Sequence, residues 1–288
     1  VDLSDKVRAT LGLRVDSFDA DVDSVLSANT GSADDVQVSP KLALAFGPWN
    51  KTEVFVNAGY GFHSNDARGA TIRVDPVNGE AVTPVDPLVR AFGTEIGVRS
   101  VPRPGLQTTF TVYQLELDSE LVFVGDGGTT EAVGRSRRLG VEWTNAWQVN
   151  DAWTLELDAA WVDAELVDEP SGQREIPGAV DGVLSAGVVW RTDPWEASLR
   201  LRAFDGYPLI EDGSVTARDY LGLNARLAHD FGRWTLSLEG FNLLGRDDND
   251  IEYFYPSRLP GEPADGIEDV HLHPVERPNV RLGIAYNF

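Results

Sequence analysis

Apolar and polar side chains alternate along this chain with a period of two, and nothing else in the sequence constrains its fold as tightly. Successive side chains of an extended strand point to opposite faces, so such a run builds a strand with one apolar and one polar face. From Trp153 to Trp161, one face carries Trp153, Leu155, Leu157, Ala159 and Trp161, and the other carries Thr154, Glu156, Asp158 and Ala160. The pattern recurs where Leu139, Val141, Trp143 and Trp147 oppose Arg138, Glu142, Thr144 and Gln148, and where Trp195, Ala197, Leu199 and Leu201 oppose Glu196, Ser198, Arg200 and Arg202. Twelve such segments are expected, near residues 5–23, 36–46, 52–62, 88–101, 106–123, 135–149, 152–166, 180–191, 195–205, 219–229, 233–244 and 278–288. Helical periodicity is hard to find.

The connections sort into two kinds that alternate. Tight turns fall at Gly47-Pro48-Trp49-Asn50, Pro102-Arg103-Pro104-Gly105, Asn150-Asp151, Thr192-Asp193-Pro194 and Asp230-Phe231-Gly232. Between them lie longer loops at 63–87, 167–179, 206–218 and 245–277, rich in Gly, Pro, Asp and Asn. Soluble sandwiches rarely segregate loop length this way, whereas outer-membrane barrels place short turns on one side and long loops on the other. The expected fold is therefore all-β, an antiparallel transmembrane β-barrel of about twelve strands. No window approaches the 18 uninterrupted apolar residues of a membrane-spanning helix. A net charge of −22 argues against a nucleic-acid partner, and the absence of Cys excludes disulfides, thiolate zinc sites and a cysteine nucleophile.

Tryptophan placement is a separate line of evidence, because amphipathic rings gather where an apolar band meets lipid headgroups. Six of the eight sit near short turns: Trp49, Trp147, Trp153, Trp190, Trp195 and Trp234. These are expected as membrane-interface aromatics in contact with outer-membrane lipid; the core of a soluble sandwich would give no reason for clustering at one end. In the last segment Val280, Leu282, Ile284, Tyr286 and Phe288 form one apolar face ending on an aromatic. That ending resembles the terminal-strand signal read by the outer-membrane barrel assembly machinery.

Several stretches resemble one family. They include Ser39-Pro40-Lys41; Gly59 through Arg68, reading Gly-Tyr-Gly-Phe-His-Ser-Asn-Asp-Ala-Arg; Leu117-Asp118-Ser119-Glu120-Leu121 running into Val124-Gly125-Asp126; Arg135 through Glu142; Ile176-Pro177-Gly178; Phe241-Asn242-Leu243-Leu244; and Tyr253 through Pro263. With the closing Phe288, the chain resembles the C-terminal part of a TonB-dependent outer-membrane receptor over nearly its whole length. The resemblance implies a 22-stranded barrel, a plug, and contact with TonB in a full-length parent. At about 24 residues per strand with its connection, 22 strands need about 530 residues before any plug. Residues 1–288 are accordingly expected to be an incomplete barrel wall without a plug domain. The lack of Met and of a leader fits a processed, truncated or engineered piece. The implied function is energy-coupled uptake of a scarce small-molecule or metal-chelate ligand such as an iron-siderophore, which this piece would not perform alone. The alternative is a complete twelve-stranded barrel acting as a passive pore or hydrolase.

Few residues carry chemistry of their own. His63, Asp66 and Arg68 lie where a strand ends on the loop side, and are read as ligand contacts or as a hydrogen-bonded strand exit. Arg135 and Arg137 enter the next strand from that side, where they would meet an anionic ligand or pair with loop acids such as Asp126. His271 and His273 on an extended chain point to one side, near Asp265, Glu268 and Asp269; a metal site is one reading and tying down the last loop is the other. No Gly-x-Ser-x-Gly motif and no phosphate-cradling glycine loop is present, so no enzyme activity and no cofactor is expected.

Overall fold

The computed structural model describes residues 1–76, 79–124, 129–264 and 266–288, with side chains described outside 120–133. The chain runs β1 (Asp2–Ser4), β2 (Val7–Val22), a 3-10 turn at Ser27–Asn29, β3 (Gly31–Trp49), β4 (Thr52–Ser64), α1 (Ala67–Thr71), β5 (Leu88–Arg103) and β6 (Leu106–Leu117). It continues through β7 (Glu120–Val124), β8 (Thr129–Val133), β9 (Ser136–Gln148), β10 (Trp153–Leu166), β11 (Gly182–Thr192) and β12 (Trp195–Phe204). It ends with β13 (Tyr220–Phe231), β14 (Trp234–Phe241), β15 (Asn249–Ser257), β16 (Ile267–Pro274) and β17 (Asn279–Tyr286). Among the described residues, no helix is long and apolar enough to cross a membrane.

Thirteen strands form one antiparallel sheet in the order β1-β2-β3-β4-β5-β6-β9-β10-β11-β12-β13-β14-β17. Each of the twelve expected segments contributes a strand to it, and the thirteenth is the three-residue β1. Two departures come from the loop side. The segment expected at 106–123 divides into β6 and β7, and β7 pairs with β8 as a separate hairpin. The loop expected at 245–277 contains the hairpin β15–β16.

The ladder registers keep one face apolar across the wall. Trp153 stands opposite Trp190, Leu155 opposite Val188 and Leu157 opposite Ala186. The same face continues through Leu199 opposite Val188, Leu227 opposite Ala197, Leu238 opposite Leu227 and Leu282 opposite Leu238. Towards the other edge it runs through Val98 opposite Phe110, Val56 opposite Ile96 and Leu11 opposite Leu42. Large hydrophobics on this face are uncovered by the chain itself, Leu11 being 82% and Ile284 67% exposed. A soluble protein hides such a face, and lipid satisfies it.

The sheet is open. β2 pairs with β1 and β3, and β17 pairs with β14, with no ladder joining residues 7–15 to 278–288. This overturns the alternative of a closed twelve-stranded pore or hydrolase, which needs that seam bonded. The only buried apolar cluster among the described residues is small: Ala164, Leu166 and Ile176, with Val162 and Ala179 against it. It forms where the 167–181 connection folds onto the end of β10, and Ile176 belongs to the Ile-Pro-Gly stretch.

Candidate functional site on the loop side and inner wall

The loop side of the wall is held by capped backbone and ion pairs. Asp66 caps α1, its Oδ1 accepting from the Arg68 amide at 2.8 Å while its carboxylate pairs with the Arg68 guanidinium at 2.6 Å. The guanidinium and the amide together hold the Asp66 carboxyl below its ordinary range. His63 lies on the polar face at the end of β4, opposite Val89. Asn65 follows, donating from Nδ2 to Asp86 O at 2.7 Å. Asp66 and Arg68 are thus brought together, and they engage each other.

At the loop end of the β9–β10 pair both arginines find acids, Arg135 just before β9 on Asp168 just beyond β10, and Arg137 on its ladder partner Glu165. Arg135 pairs with Asp168 at 2.8 Å, and the hydrogen bonds from its guanidinium and amide depress the Asp168 carboxyl to about 2. Arg137 pairs with Glu165, which also meets Arg174 at 3.5 Å. Asp126, the partner suggested by sequence, lies outside the described residues, as does Asp265.

His271 and His273 share one side of β16 but are engaged separately. The His271 ring stacks on Tyr255 at 3.8 Å, and its Nε2 meets Ser257 Oγ at 2.7 Å. His273 pairs with Asp250 at 2.8 Å. Among the described residues, no group of three His, Asp or Glu side chains is arranged to hold a metal ion.

The firmest part of the loop side escaped the sequence reading. Arg246 bridges Asp248 and Asp219, each at 2.9 Å, and Asp248 accepts from the Leu221 amide at 2.9 Å. The Tyr207 hydroxyl accepts from the Glu252 amide at 2.9 Å, and Glu252 Oε1 accepts from Asn249 Nδ2 and the Arg218 amide. Burial of the Tyr207 ring raises its phenol pKa above the ordinary value. These contacts join loop 205–219 to the base of β15. Asn242, in a left-handed conformation at φ 48°, donates to the carbonyls of Arg246 and Glu276 and closes the base of the last loop. Its place in the Phe-Asn-Leu stretch was the available signal.

On the inner, polar face, ion pairs cross the strands. Glu53 holds Arg8 at 2.6 Å and Arg99 at 2.7 Å, and Glu196 holds Arg191 at 2.6 Å and Arg226 at 2.8 Å. A groove of about 740 Å³ is lined by β2 to β6 and by Glu142 of β9. Its floor is bare backbone at Gly59, Gly61 and Gly93, with Lys41, Glu95 and Tyr113 around it. A Cβ on Gly59 would come within 2.8 Å of Lys41 Cβ, so glycine lets the lysine stem lie flat on the wall.

The six tryptophans named above lie at the short-turn end. Trp153 and Trp190 rings stand 6.4 Å apart, and Trp234 meets Tyr286 at 4.7 Å. His229 packs between Trp195 at 4.3 Å and Phe231 at 4.1 Å.

An antiparallel wall with an uncovered apolar face, an ion-paired polar face and its long connections at one end defines a transmembrane β-barrel wall. Residues 1–243 match the family model "TonB dependent receptor-like, beta-barrel". The chain belongs to this family. It superposes on the siderophore receptor PiuA from Acinetobacter baumannii at TM-score 0.71 and 17% identity, covering 99% of this chain and 41% of that one. The ferric yersiniabactin uptake receptor FyuA from Yersinia pestis gives 0.75 and 16%, covering 99% and 44%. The copper transporter OprC gives 0.75 and 14%, covering 99% and 45%. The chain spans less than half the length of these structures. No curated protein sequence matches it.

Proposed function

We propose that this chain is part of the barrel wall of an outer-membrane receptor for TonB-dependent uptake of a scarce small-molecule or metal-chelate ligand, an iron-siderophore or another metal complex. The observation that carries this reading is the division of the wall: an apolar face for lipid, a polar face for a lumen, and every elaborated connection at one end. The likeness of fold to receptors and transporters of siderophores and copper supports the class of ligand.

In this reading residues 1–288 form one barrel portion without a plug. The long connections face outward and meet ligand, with His63, Asp66, Arg68, Arg135, Arg137, His271 and His273 as contacts. Most of them are already engaged by neighbours, so a ligand would exchange those contacts for its own. Trp49, Trp147, Trp153, Trp190, Trp195 and Trp234 sit at the lipid boundary, and Val280, Leu282, Ile284, Tyr286 and Phe288 present the signal to the assembly machinery. TonB and a plug act with the full-length receptor, and chemistry on a substrate is not part of the role.

The test is uptake by cells that carry the receptor gene, measured over a panel of radiolabelled ferric chelates and a copper complex. Deletion should abolish uptake of at least one probe, and loss of TonB should do the same. Uptake that persists without TonB would sink the reading. Cells carrying only these 288 residues should take up none of the panel.

A further inference from the structure

Seven buried side-chain atoms lack a hydrogen-bond partner among the described residues, and five belong to one patch of the inner face: Asp16 Oδ2, Gln37 Nε2, Ser39 Oγ, His63 Nε2 and Asn65 Oδ1. Asp16 and Gln37 are ladder partners on β2 and β3, and Ser39 lies two residues along on the same face. Asp35, two residues the other way, accepts from the Leu88 amide at 3.2 Å. Leu88 is the ladder partner of Ser64, which lies between His63 and Asn65. α1, which starts two residues after Asn65, lies against both β2 and β3. Gln37, Ser39 and Asn65 are 6%, 7% and 5% exposed.

The remaining atoms of two of these side chains are committed elsewhere, so rotation does not rescue the set. Asp16 Oδ1 accepts from Arg14 Nε at 2.7 Å, and Asn65 Nδ2 donates to Asp86 O at 2.7 Å. What remains is mixed: two acceptor oxygens, an amide donor, a hydroxyl that does both and one imidazole nitrogen. An anion would meet the Asp16 carboxylate. A metal would meet one carboxylate, one imidazole and an amide NH2 that cannot ligate it. Water both donates and accepts, and a buried water takes two to four polar partners, so five atoms suit about one or two.

We propose that this patch is an internal water-binding site through which α1 is seated on the wall. The helix then rests on the barrel by bridging waters rather than by direct side-chain bonds, and Gln37, Ser39 and His63 are positioning residues for those waters.

X-ray hydroxyl-radical footprinting of the full chain folded in detergent tests this, because radicals form at the bound water itself. His229 is the internal control, since its Nδ1 also lacks a partner but its ring is packed between Trp195 and Phe231. His63 should be oxidised severalfold faster than His229, and the double variant Gln37→Leu with Ser39→Ala should lower that rate severalfold. Oxidation of His63 no faster than His229 would overturn the proposal. If the double variant does not fold, the wild-type ratio alone decides. A crystal structure gives the second readout: density at hydrogen-bond distance from at least two of the five atoms supports it, and density at about 2.3–2.6 Å, a hard-cation distance, overturns it.

Discussion

Asn242 closes the last loop with one side chain. Its left-handed backbone is strained for most residues, and its amide serves two carbonyls in a site only 7% exposed. Asn242→Ala should destabilise the fold by about 2–3 kcal/mol, from unsatisfied carbonyls and backbone strain. Asn242→Gly should recover the backbone share alone. Urea midpoints in lipid vesicles measure both. Asp168 gives a prediction of different kind. Its carboxyl is depressed from 3.8 to about 2 by Arg135, so the tether is fully present above the ordinary value and is lost as pH falls through the depressed one. A spin label in loop 167–179 should stay immobilised down to about pH 4 and be released towards about pH 2. In Asp168→Asn it should be mobile throughout, and salt should loosen the wild-type tether because both partners are exposed. The sequence singled out Asp66, Arg68, Arg135 and Arg137 by charge and position, yet not Asp168 and Glu165, the acids that the two loop-end arginines meet. Asp168 and its partner meet beyond the strand ends, where the strand pattern does not encode the path, whereas Glu165 is the ladder partner of Arg137 and follows once the register of the β9–β10 hairpin is known.

At the scale of elements, the alternating pattern carries the wall. Val188 faces the apolar side between Leu155 and Leu199, whereas Thr144 faces the polar side opposite Asp158. Val188→Arg should cost about 2–4 kcal/mol near mid-depth and reduce the yield of folded, heat-modifiable protein. Thr144→Arg should leave that yield unchanged, because its guanidinium meets water and a carboxylate. Equal effects of the two would contradict the assignment of faces. Twelve strands were legible for the same reason that this pair differs: lipid on one side and water on the other impose strict alternation. The hairpin β15–β16 was not legible because its pattern is mixed, Phe254 sharing a face with Glu252, and its register is interrupted between Asn249 and Ile251. α1 escaped because five residues are too few to show a helical period.

For the whole molecule, the aromatic clustering at the short-turn end predicts where the wall sits in a bilayer. Lipids brominated near the headgroup should quench its tryptophan fluorescence more strongly than lipids brominated at the chain end. The reverse order would place those rings in the middle of the bilayer. The order of the main sheet follows the order of the chain, with two hairpins set aside as excursions. Each strand of the main sheet therefore pairs with the main-sheet strand made just before it. The wall can grow by successive hairpins, each closing a short loop at small entropic cost. The step with the longest wait is the last, because the chain must complete the excursion from Phe241 to Asn279 before β17 reaches β14. At its growing edge a sheet of this kind exposes only its most recent strand to mispairing, and β14 bears that exposure longest.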